Sequence, residues 1–426
     1  MTQNPMKDYR PRAQTGVFAG LLIIAALALL ACAPARAAES YAWTQFTSSG
    51  LEARAATSDA SCPKATLDGR ETPMRVRATP NEAFPVLVCT LAIPKGAGAA
   101  SVNGRPLALA PPRANRIALI GDTGCRLKAM ILQGCNSIKS WPFRLDADVA
   151  AEMEPDLVVH VGDLVYRERP CPESSKGCAG SPYGDNWESW KADVFEPAQA
   201  LLGAAPWVFV RGNHEICDRA GGGWGRLVSP LAFTEGACTP QEPPYAIDLG
   251  GLTLAVLDVT RAEDRAVDDA VAAALRRQFA DLAKVEGPLW IAMHKPIYAS
   301  VRIKDGVNEG DNKTLVAATR GAIGPNTQLL LSGHIHTFQA MSYDGDHPAQ
   351  IVAGHGGVVL DAFAPQKLDG LAMGDAKVDH GVGLTNVFGF AMLDRREAEW
   401  QLTDFDTHGQ PLARCHLRGR KFACDP

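Results

Sequence analysis

The sequence predicts a layered α/β domain that follows a small, all-β N-terminal domain. From residue 116 onward, short apolar runs such as RIALI (116–120) and DLVVHV (156–161) are separated by helical patterns such as 269–285. This alternation favours strands that are covered by other layers on both faces of a sheet. Residues from about 39 to 115 instead carry short runs interrupted by Pro, Gly and Asn, a pattern typical of a small β-sandwich.

The composition is that of a globular protein with a substantial core. The chain has 426 residues, 46% of them hydrophobic and 21% charged, which suits one large or two modest domains. The net charge of −5 argues against a protein that binds nucleic acid through a basic face. We expect four segments: a signal peptide (1–37), a β-rich domain (38–112), the larger α/β domain (113–412) and a disulfide-closed tail (413–426).

The N-terminus has the layout of a secretory signal. Three basic residues precede an uninterrupted apolar run, Val17–Ala33, which leads into an A-x-A cleavage site at Ala35–Ala37. The protein is therefore expected to be exported, either to the periplasm or into the medium. Leu29–Cys32 also resembles the lipobox of bacterial lipoproteins, so a lipid anchor on Cys32 is an alternative. An uncleaved membrane anchor is a third reading of the same run.

The cysteine content agrees with export. Ten cysteines remain when Cys32 is set aside, and an even set in an exported chain indicates a disulfide framework. Five bridges between successive neighbours are the simplest pairing, although the sequence does not prove it. The ten are Cys62, Cys89, Cys125, Cys135, Cys171, Cys178, Cys217, Cys238, Cys415 and Cys424.

Five apolar runs end in a polar residue that can bind a metal. At the carboxyl edge of an α/β sheet, where ligands bind, such side chains converge. Nitrogen and oxygen donors brought together in this way suit a metal site. A single Gly-Asp after a strand would indicate only a turn or a helix cap. Five strand-like runs that each end in Asp, Asn or His make that interpretation implausible. The candidates are Asp122, Asp163, Asn213, His294, His334 and His336, with Tyr166 shortly after Asp163.

Taken together, these runs resemble a known family. GDTG (121–124), GDLVY (162–166), GNHE (212–215), IAMH (291–294) and GHIH (333–336) resemble the five blocks of the calcineurin-like metallophosphoesterases, specifically the purple acid phosphatase branch. Only the fourth block departs from the pattern, with Ile in place of Val. The resemblance implies that the larger domain is a metallophosphatase-type four-layer α/β/β/α sandwich. The preceding β-rich region is also similar to that of larger members of the branch.

The resemblance further implies a site for two metal ions. One ion would be held by Asp122, Tyr166 and His336, and the other by Asn213, His294 and His334. Asp163 would bridge both ions, and His214 would contact the phosphate, so that Asp163 and His214 are the implied catalytic residues. A phenol becomes a good ligand only when a strongly acidic cation displaces its proton, so Tyr166 favours ferric iron beside divalent iron, zinc or manganese. Gly124 stands where many phosphodiesterases of the superfamily carry a histidine.

The implied activity is that of an acid phosphatase-like phosphoric ester hydrolase. A metal-bound hydroxide would attack phosphate monoesters, with a small-molecule ester as substrate. A phosphodiesterase or nucleotidase using the same site is the alternative, and a non-catalytic exported binding protein is a remote one. We expect no nucleic-acid partner, and membrane contact only through the signal or a lipid on Cys32. The physiological ester, the pH optimum and the oligomeric state are left open.

One departure from the branch concerns the leaving group. Members usually carry another histidine a few residues after the fourth block, but HKPIYASVRIKDG (294–306) has none after His294. Lys295, Tyr298 and Lys304 are the candidate substitutes. His355, which follows another apolar run, is an open candidate for the pocket wall, whereas His160 is expected in the core.

Overall fold

The computed structural model describes residues 39–397 and 399–425. The predicted signal peptide (1–37) and lipid attachment at Cys32 lie outside these residues. Among the helices in the described ranges, none combines the length and apolar character needed to cross a lipid bilayer.

Helices are few and mostly short. The longest, α5 (Asp269–Leu282), is capped by Asp268, whose carboxylate accepts hydrogen bonds from the backbone N–H groups of Ala270 and Val271. It buries one apolar stripe that includes Leu275 and Phe279. Two π-helical segments, Lys191–Phe195 and Trp224–Val228, continue α2 (Trp187–Trp190) and α4 (Gly221–Gly223). The helices are α1 (Phe143–Glu152), α2 (Trp187–Trp190), α3 (Gln199–Ala204), α4 (Gly221–Gly223), α5 (Asp269–Leu282) and α6 (Lys313–Thr319).

Strands carry most of the architecture. The first part of the chain contains β1 (Ser40–Thr47), β2 (Gly50–Thr57), β3 (Lys64–Leu67), β4 (Arg70–Pro73), β5 (Arg75–Ala78), β6 (Leu87–Ala92), β7 (Ala100–Val102), β8 (Arg105–Pro106), β9 (Arg116–Ile120), β10 (Leu127–Lys128), β11 (Ile131–Leu132), β12 (Leu157–His160) and β13 (Trp207–Phe209).

The second part contains β14 (Tyr245–Asp248), β15 (Thr253–Val256), β16 (Leu289–Ala292), β17 (Arg302–Lys304), β18 (Val307–Glu309), β19 (Thr327–Ser332), β20 (Phe338–Tyr343), β21 (Ala349–Ala353), β22 (Ala372–Met373), β23 (Ala376–Leu384), β24 (Gly389–Arg396), β25 (Glu399–Asp406), β26 (Pro411–Arg418) and β27 (Lys421–Cys424).

Two large mixed sheets organise these strands. The first has eleven strands in the order β27-β26-β25-β24-β9-β12-β13-β1-β2-β6-β5, and the second has eight in the order β14-β15-β16-β19-β21-β20-β23-β22. The neighbours β9, β12 and β13 run parallel in the first sheet, as do β15, β16, β19 and β21 in the second. Their carboxyl ends therefore lie at one edge of each sheet.

The two large sheets pack face to face, with helices on their outer sides. Ile117 and Leu119 of β9 point into a core shared with Trp290 of β16, whereas the alternate residue Ala118 packs on the side of α1 and α3. Helices α5 and α6 cover the outer face of the second sheet, where Ile291 lies. This period-two alternation is what buried strands require. The predicted four-layer α/β/β/α sandwich is confirmed.

The N-terminal region is all-β, as predicted, but it shares a sheet with the larger domain. Strand β1 pairs with β13 in parallel, so that Gln45 lies opposite Trp207. Strands β3, β4, β7 and β8 form a separate small sheet, whose Ala65 and Val102 pack against Ala55 of β2. The sandwich-like arrangement thus arises because the small four-stranded sheet packs on one end of the eleven-stranded sheet. The domain boundary near residue 112 stays a prediction.

All five disulfides join successive cysteines, as predicted. The bridges close short loops, with sequence separations from 7 to 27. They are Cys62–Cys89, Cys125–Cys135, Cys171–Cys178, Cys217–Cys238 and Cys415–Cys424. The last one crosses the β26–β27 hairpin, so the predicted tail forms the edge of the eleven-stranded sheet.

Candidate metal centre

The predicted ligands lie at the facing carboxyl edges of the two large sheets. Asp122, Asp163 and Asn213 follow β9, β12 and β13 of the first sheet, and the histidines follow β16 and β19 of the second. We call Asp122, Tyr166 and His336 the inner cluster, and Asn213, His294 and His334 the outer cluster. Asp163 lies between the two.

The backbone around these residues is held in an unusual conformation. Asp122, Asp163 and His334 have φ values of 54°, 56° and 71°, in the left-handed region that non-glycine residues rarely adopt. A Cβ atom on Gly333 would overlap the Asp122 carboxylate, and one on Gly212 would overlap Asp163. The glycines of the motifs therefore allow main chain and carboxylate to approach closely.

The inner cluster contains more oxygen acceptors than protons. The Tyr166 hydroxyl lies 2.7 Å from Asp122 Oδ1 and 2.7 Å from Asp163 Oδ2. A hydroxyl carries a single proton and can donate to only one of these carboxylates at a time. His336 Nε2 lies 3.2 Å from the same hydroxyl oxygen and 3.5 Å from Asp122 Oδ1. A buried set of this kind fits a cation, which would satisfy all of the acceptors at once.

The outer cluster is joined to the inner one through Asp163. His294 Nε2 lies 3.2 Å from Asp163 Oδ2 and 3.2 Å from Asn213 Oδ1. The potential ligand atoms of Asp163, His294 and His334 all lie within 4.8 Å of one another. The backbone N–H of His334 donates to Asp122 Oδ2 at 2.8 Å. The structure thus brings together all seven residues that the sequence nominated as metal ligands.

The ring nitrogens that face away from the centre have defined partners. His294 Nδ1 lies 2.7 Å from the carbonyl of Val161, and His336 Nδ1 lies 2.8 Å from that of Val359. In the neutral ring, these bonds place the proton on Nδ1 and leave the lone pair of Nε2 toward the cluster, the arrangement of a metal-binding histidine.

Charge interactions inside the centre are strong because water is excluded. Burial, together with the adjacent carboxylates of Asp122 and Asp163, raises the pKa of Tyr166 well above the ordinary value of a phenol. Burial alone lowers the pKa of His294, but the charge of Asp163 outweighs it and raises that pKa to about 9. Burial also raises the pKa of Asp122. A positive charge nearby would therefore stabilise these buried carboxylates. A bound cation would also lower the pKa of Tyr166, which the protein alone raises.

His214 lies beside this centre and has a carboxylate partner that sequence reasoning missed. Its Nε2 is 3.8 Å from Asp163 Oδ2, while its Nδ1 is 2.8 Å from Glu168 Oε1. Burial lowers the pKa of His214 to about 4. The ring also packs against Tyr166, with centroids 3.8 Å apart. The position of Glu168, two residues past the tyrosine of the second block, was the available signal.

Glu215, the last residue of the third block, organises the loop that carries Asp163. Its two carboxylate oxygens accept backbone hydrogen bonds of 2.8–3.2 Å. The four donors are Gly212, Asp163, Leu164 and Val165. Burial and the charge of Asp163 raise the pKa of Glu215 to about 7. The residue fixes the main chain of two motifs relative to each other.

The substitutes considered for the missing histidine are engaged elsewhere or exposed. Lys295 donates from Nζ to the carbonyl of Ala262 at 2.7 Å, and Tyr298 donates to Asp375 at 2.6 Å. Lys304 is exposed on the β17–β18 hairpin. The group that protonates a leaving group is therefore not identified among them.

Two further histidines, His160 and His355, are buried. His160 contacts the Thr123 hydroxyl at 2.9 Å, as expected of a core residue. His355 lies fully buried, with Nε2 3.1 Å from Asp404 Oδ1, and does not line the cavity described next.

An open cavity of about 820 Å³ adjoins the outer cluster. His334 forms part of its wall, and the wall also carries both acidic and basic side chains. Its volume lies within the range of about 300–1,000 Å³ that is usual for small-molecule sites. Residues from several loops complete the wall, among them Asp264, Arg265, Asn308, Lys313 and Phe363.

Residues 115–338 match the family model of the calcineurin-like phosphoesterases, which covers more than half of the chain. The chain belongs to this family. As a calcineurin-like phosphoesterase it is a phosphoric ester hydrolase, and its fold implies a metal-ion cofactor. No curated protein matches the sequence.

Two solved structures share the fold of this phosphoesterase. The purple acid phosphatase PPD1 from yellow lupin (Lupinus luteus) seeds matches with a TM-score of 0.54 and 14% identity, over 88% of this chain and 74% of the lupin chain. PhoD matches with a TM-score of 0.52 and 10% identity, over 91% of each chain. At such low identity the likeness is one of fold alone.

Proposed function

We propose that this calcineurin-like phosphoesterase is an exported phosphatase that hydrolyses phosphate monoesters at a centre of two metal ions. The observation that carries the proposal is the Tyr166 hydroxyl, held 2.7 Å from the carboxylates of both Asp122 and Asp163 in a buried site. No arrangement of one hydroxyl proton satisfies this set, whereas cations would.

The ligands divide into two sets. The inner cluster (Asp122, Tyr166 and His336) would hold one ion, and the outer cluster (Asn213, His294 and His334) would hold the other. Asp163 would bridge the two, since its Oδ2 atom is close to both Tyr166 and His294. When bound, the two cations would neutralise the charge of a phosphate ester and lower the pKa of a coordinated water.

The protein's own groups complete the site. Glu168 Oε1 lies 2.8 Å from His214 Nδ1, and Arg219 Nη2 lies within 3.0 Å of both ring nitrogens, so these two side chains hold the His214 ring beside Asp163. Protonated on both ring nitrogens, a state that a bound phosphate anion favours, His214 would there contact an oxygen of the phosphate and stabilise its negative charge. Glu215 fixes the Asp163 loop, so the bridging carboxylate does not have to reorganise during the reaction.

The inner ion is proposed to be ferric iron, with iron, zinc or manganese as the divalent outer ion. A tyrosinate ligand requires a strongly acidic cation, because the protein alone raises the pKa of Tyr166. Metal analysis of the purified protein should find two ions per chain, together with a visible tyrosinate-to-iron absorption band. Tyr166→Phe should abolish the band. A colourless, iron-free and fully active enzyme would exclude this assignment.

A preference for monoesters is the second part of the proposal. The competing function is a phosphodiesterase or nucleotidase, which the open cavity beside His334 favours because it has room for a large ester group. Hydrolysis of p-nitrophenyl phosphate should be compared with that of bis(p-nitrophenyl) phosphate at several pH values. A diester preference of tenfold or more would replace the monoesterase by a diesterase at the same centre.

Export is supported by the five disulfides, because thiols are kept reduced in the cytosol of most organisms. Fractionation of cells that express the full chain should place the protein outside the cytoplasm, with all ten bridging cysteines oxidised. A protein retained in the cytoplasm with free thiols would contradict export. Replacing Cys32 with Ser should leave the location unchanged if the signal is cleaved after residue 37.

A further inference from the structure

Asp264 is an acidic residue next to the outer cluster that none of the five motifs contains. It lies on the loop after β15. Its Oδ2 atom is 3.3 Å from His334 Nε2 and 3.4 Å from Lys295 Nζ. Its Oδ1 atom accepts a hydrogen bond of 2.7 Å from the side chain of Asn312. One carboxylate therefore connects three separate segments of the chain.

His334 differs from the other two histidines of the centre in the partner of its outward nitrogen. His294 and His336 each direct Nδ1 to a backbone carbonyl and Nε2 to the cluster. His334 directs Nε2 to Asp264, which leaves Nδ1 as its free ring nitrogen. Its partner is thus a negatively charged carboxylate, which accepts a stronger hydrogen bond than a neutral carbonyl does.

We propose that Asp264 is a positioning residue for the outer metal ion, which it stabilises by accepting a hydrogen bond from His334 Nε2 so that Nδ1 becomes the ligand atom. The inference rests on the two-metal site proposed above. A carboxylate behind a ligating imidazole fixes its tautomer and ring orientation and increases its basicity. The outer ion would therefore depend on Asp264, whereas the inner ion would not.

The surroundings of Asp264 hold its carboxylate in place. Lys295 Nζ is itself anchored by the carbonyl of Ala262 at 2.7 Å, and Asn312 donates to the same carbonyl at 3.2 Å while it caps α6. The carboxylate is therefore fixed between two anchored donors, although 42% of the Asp264 side chain is exposed. Fixed geometry is what a residue that orients a metal ligand needs.

The test measures metal affinity on the full-length protein without reference to activity. Metal-free protein is titrated with Zn²⁺ against a chromogenic chelator, which resolves a tighter and a weaker site. Asp264→Ala should weaken one site by about 10- to 100-fold, the usual effect of losing such a partner, and leave the other unchanged. Asp264→Asn keeps an acceptor but loses the charge, so its loss should be smaller. Asp248→Asn, which alters a carboxylate paired with Lys95, is the matched control and should change neither site.

Further variants separate positioning from a general structural role. Lys295→Met removes one of the two donors that fix Asp264 but keeps the bond to His334, so it should weaken the same site by less than Asp264→Ala does. His334→Ala should remove the same site that Asp264→Ala weakens. If Asp264→Ala does not fold, as judged by circular dichroism, Asp264→Asn carries the comparison.

The outcomes separate the role of Asp264 from the two-metal site on which it rests. Unchanged zinc affinity in both Asp264 variants would overturn the role of Asp264 and leave the two-metal site intact. Equal weakening of both sites would also overturn it, because that result indicates a structural defect. A wild-type protein that binds no zinc, iron or manganese would overturn the two-metal site itself.

Discussion

The two halves of the candidate centre differ in their contact with solvent. Asp122 and Tyr166 of the inner cluster are 0% and 1% exposed, and they share a hydrogen-bonded network with Asp163. In the outer cluster, the side chain of His334 is 20% exposed and lines the open cavity. Under the proposed two-metal assignment, the enclosed inner cluster would hold its ion, and the outer cluster, through His334, would meet the substrate.

Replacing Asp163 should have the largest effect on activity, because its carboxylate is the proposed ligand of both ions. Asp163→Asn should lower kcat for a phosphate monoester by about a thousandfold or more, since it removes a ligand charge from two cations at once. Metal analysis of the same variant should show loss of both ions. Retention of either ion at full occupancy would contradict a bridging position.

Replacing one histidine from each half should separate the two positions. His336→Ala is expected to lose the inner ion and with it the visible absorption, whereas His334→Ala should keep the colour and lose only the outer ion. We expect activity losses of about a hundredfold or more in both variants, because each removes one of two cations that stabilise the transition state. Loss of colour in His334→Ala would invert the assignment of the halves.

Chelation should distinguish the halves in the unmodified protein. With excess EDTA at neutral pH, the outer ion should leave first because one of its proposed ligands, His334, lines the open cavity. Activity should then fall while the absorption band persists. Added Zn²⁺ or Mn²⁺ should restore the activity. Simultaneous loss of colour and activity would show that the inner position is not sealed.

Glu168 should have the smallest effect because it acts through His214. Glu168→Gln keeps a side chain of similar size but weakens the orientation of His214, so we expect kcat to fall by about tenfold, with metal content unchanged. The double variant Glu168→Gln/His214→Ala should be no worse than His214→Ala alone. Additive losses would mean that Glu168 acts independently of His214.

The sequence contains most of this centre because its parts are local. Each ligand lies shortly after a buried strand, and four of the seven directly follow a glycine, so the pattern can be read within a few residues. Glu168 and Asp264 were missed for the opposite reason: their roles depend on contacts with His214 and His334, which lie on other segments. The β-strands of the N-terminal region were predictable from its short apolar runs. The pairing of β1 with β13 was not, because it joins residues far apart in the chain.

The pairing of β1 with β13 limits where the chain can be shortened. In the eleven-stranded sheet, β13 (Trp207–Phe209) lies between β12 and β1, and it leads into the loop that carries Asn213. A shortened protein starting near residue 113 would leave β13 as a bare, apolar edge with unpaired N–H and C=O groups. Such edges invite pairing between molecules, so the shortened form should aggregate even though it keeps every proposed ligand. In the full chain the N-terminal strands cover this edge and would thereby limit self-association.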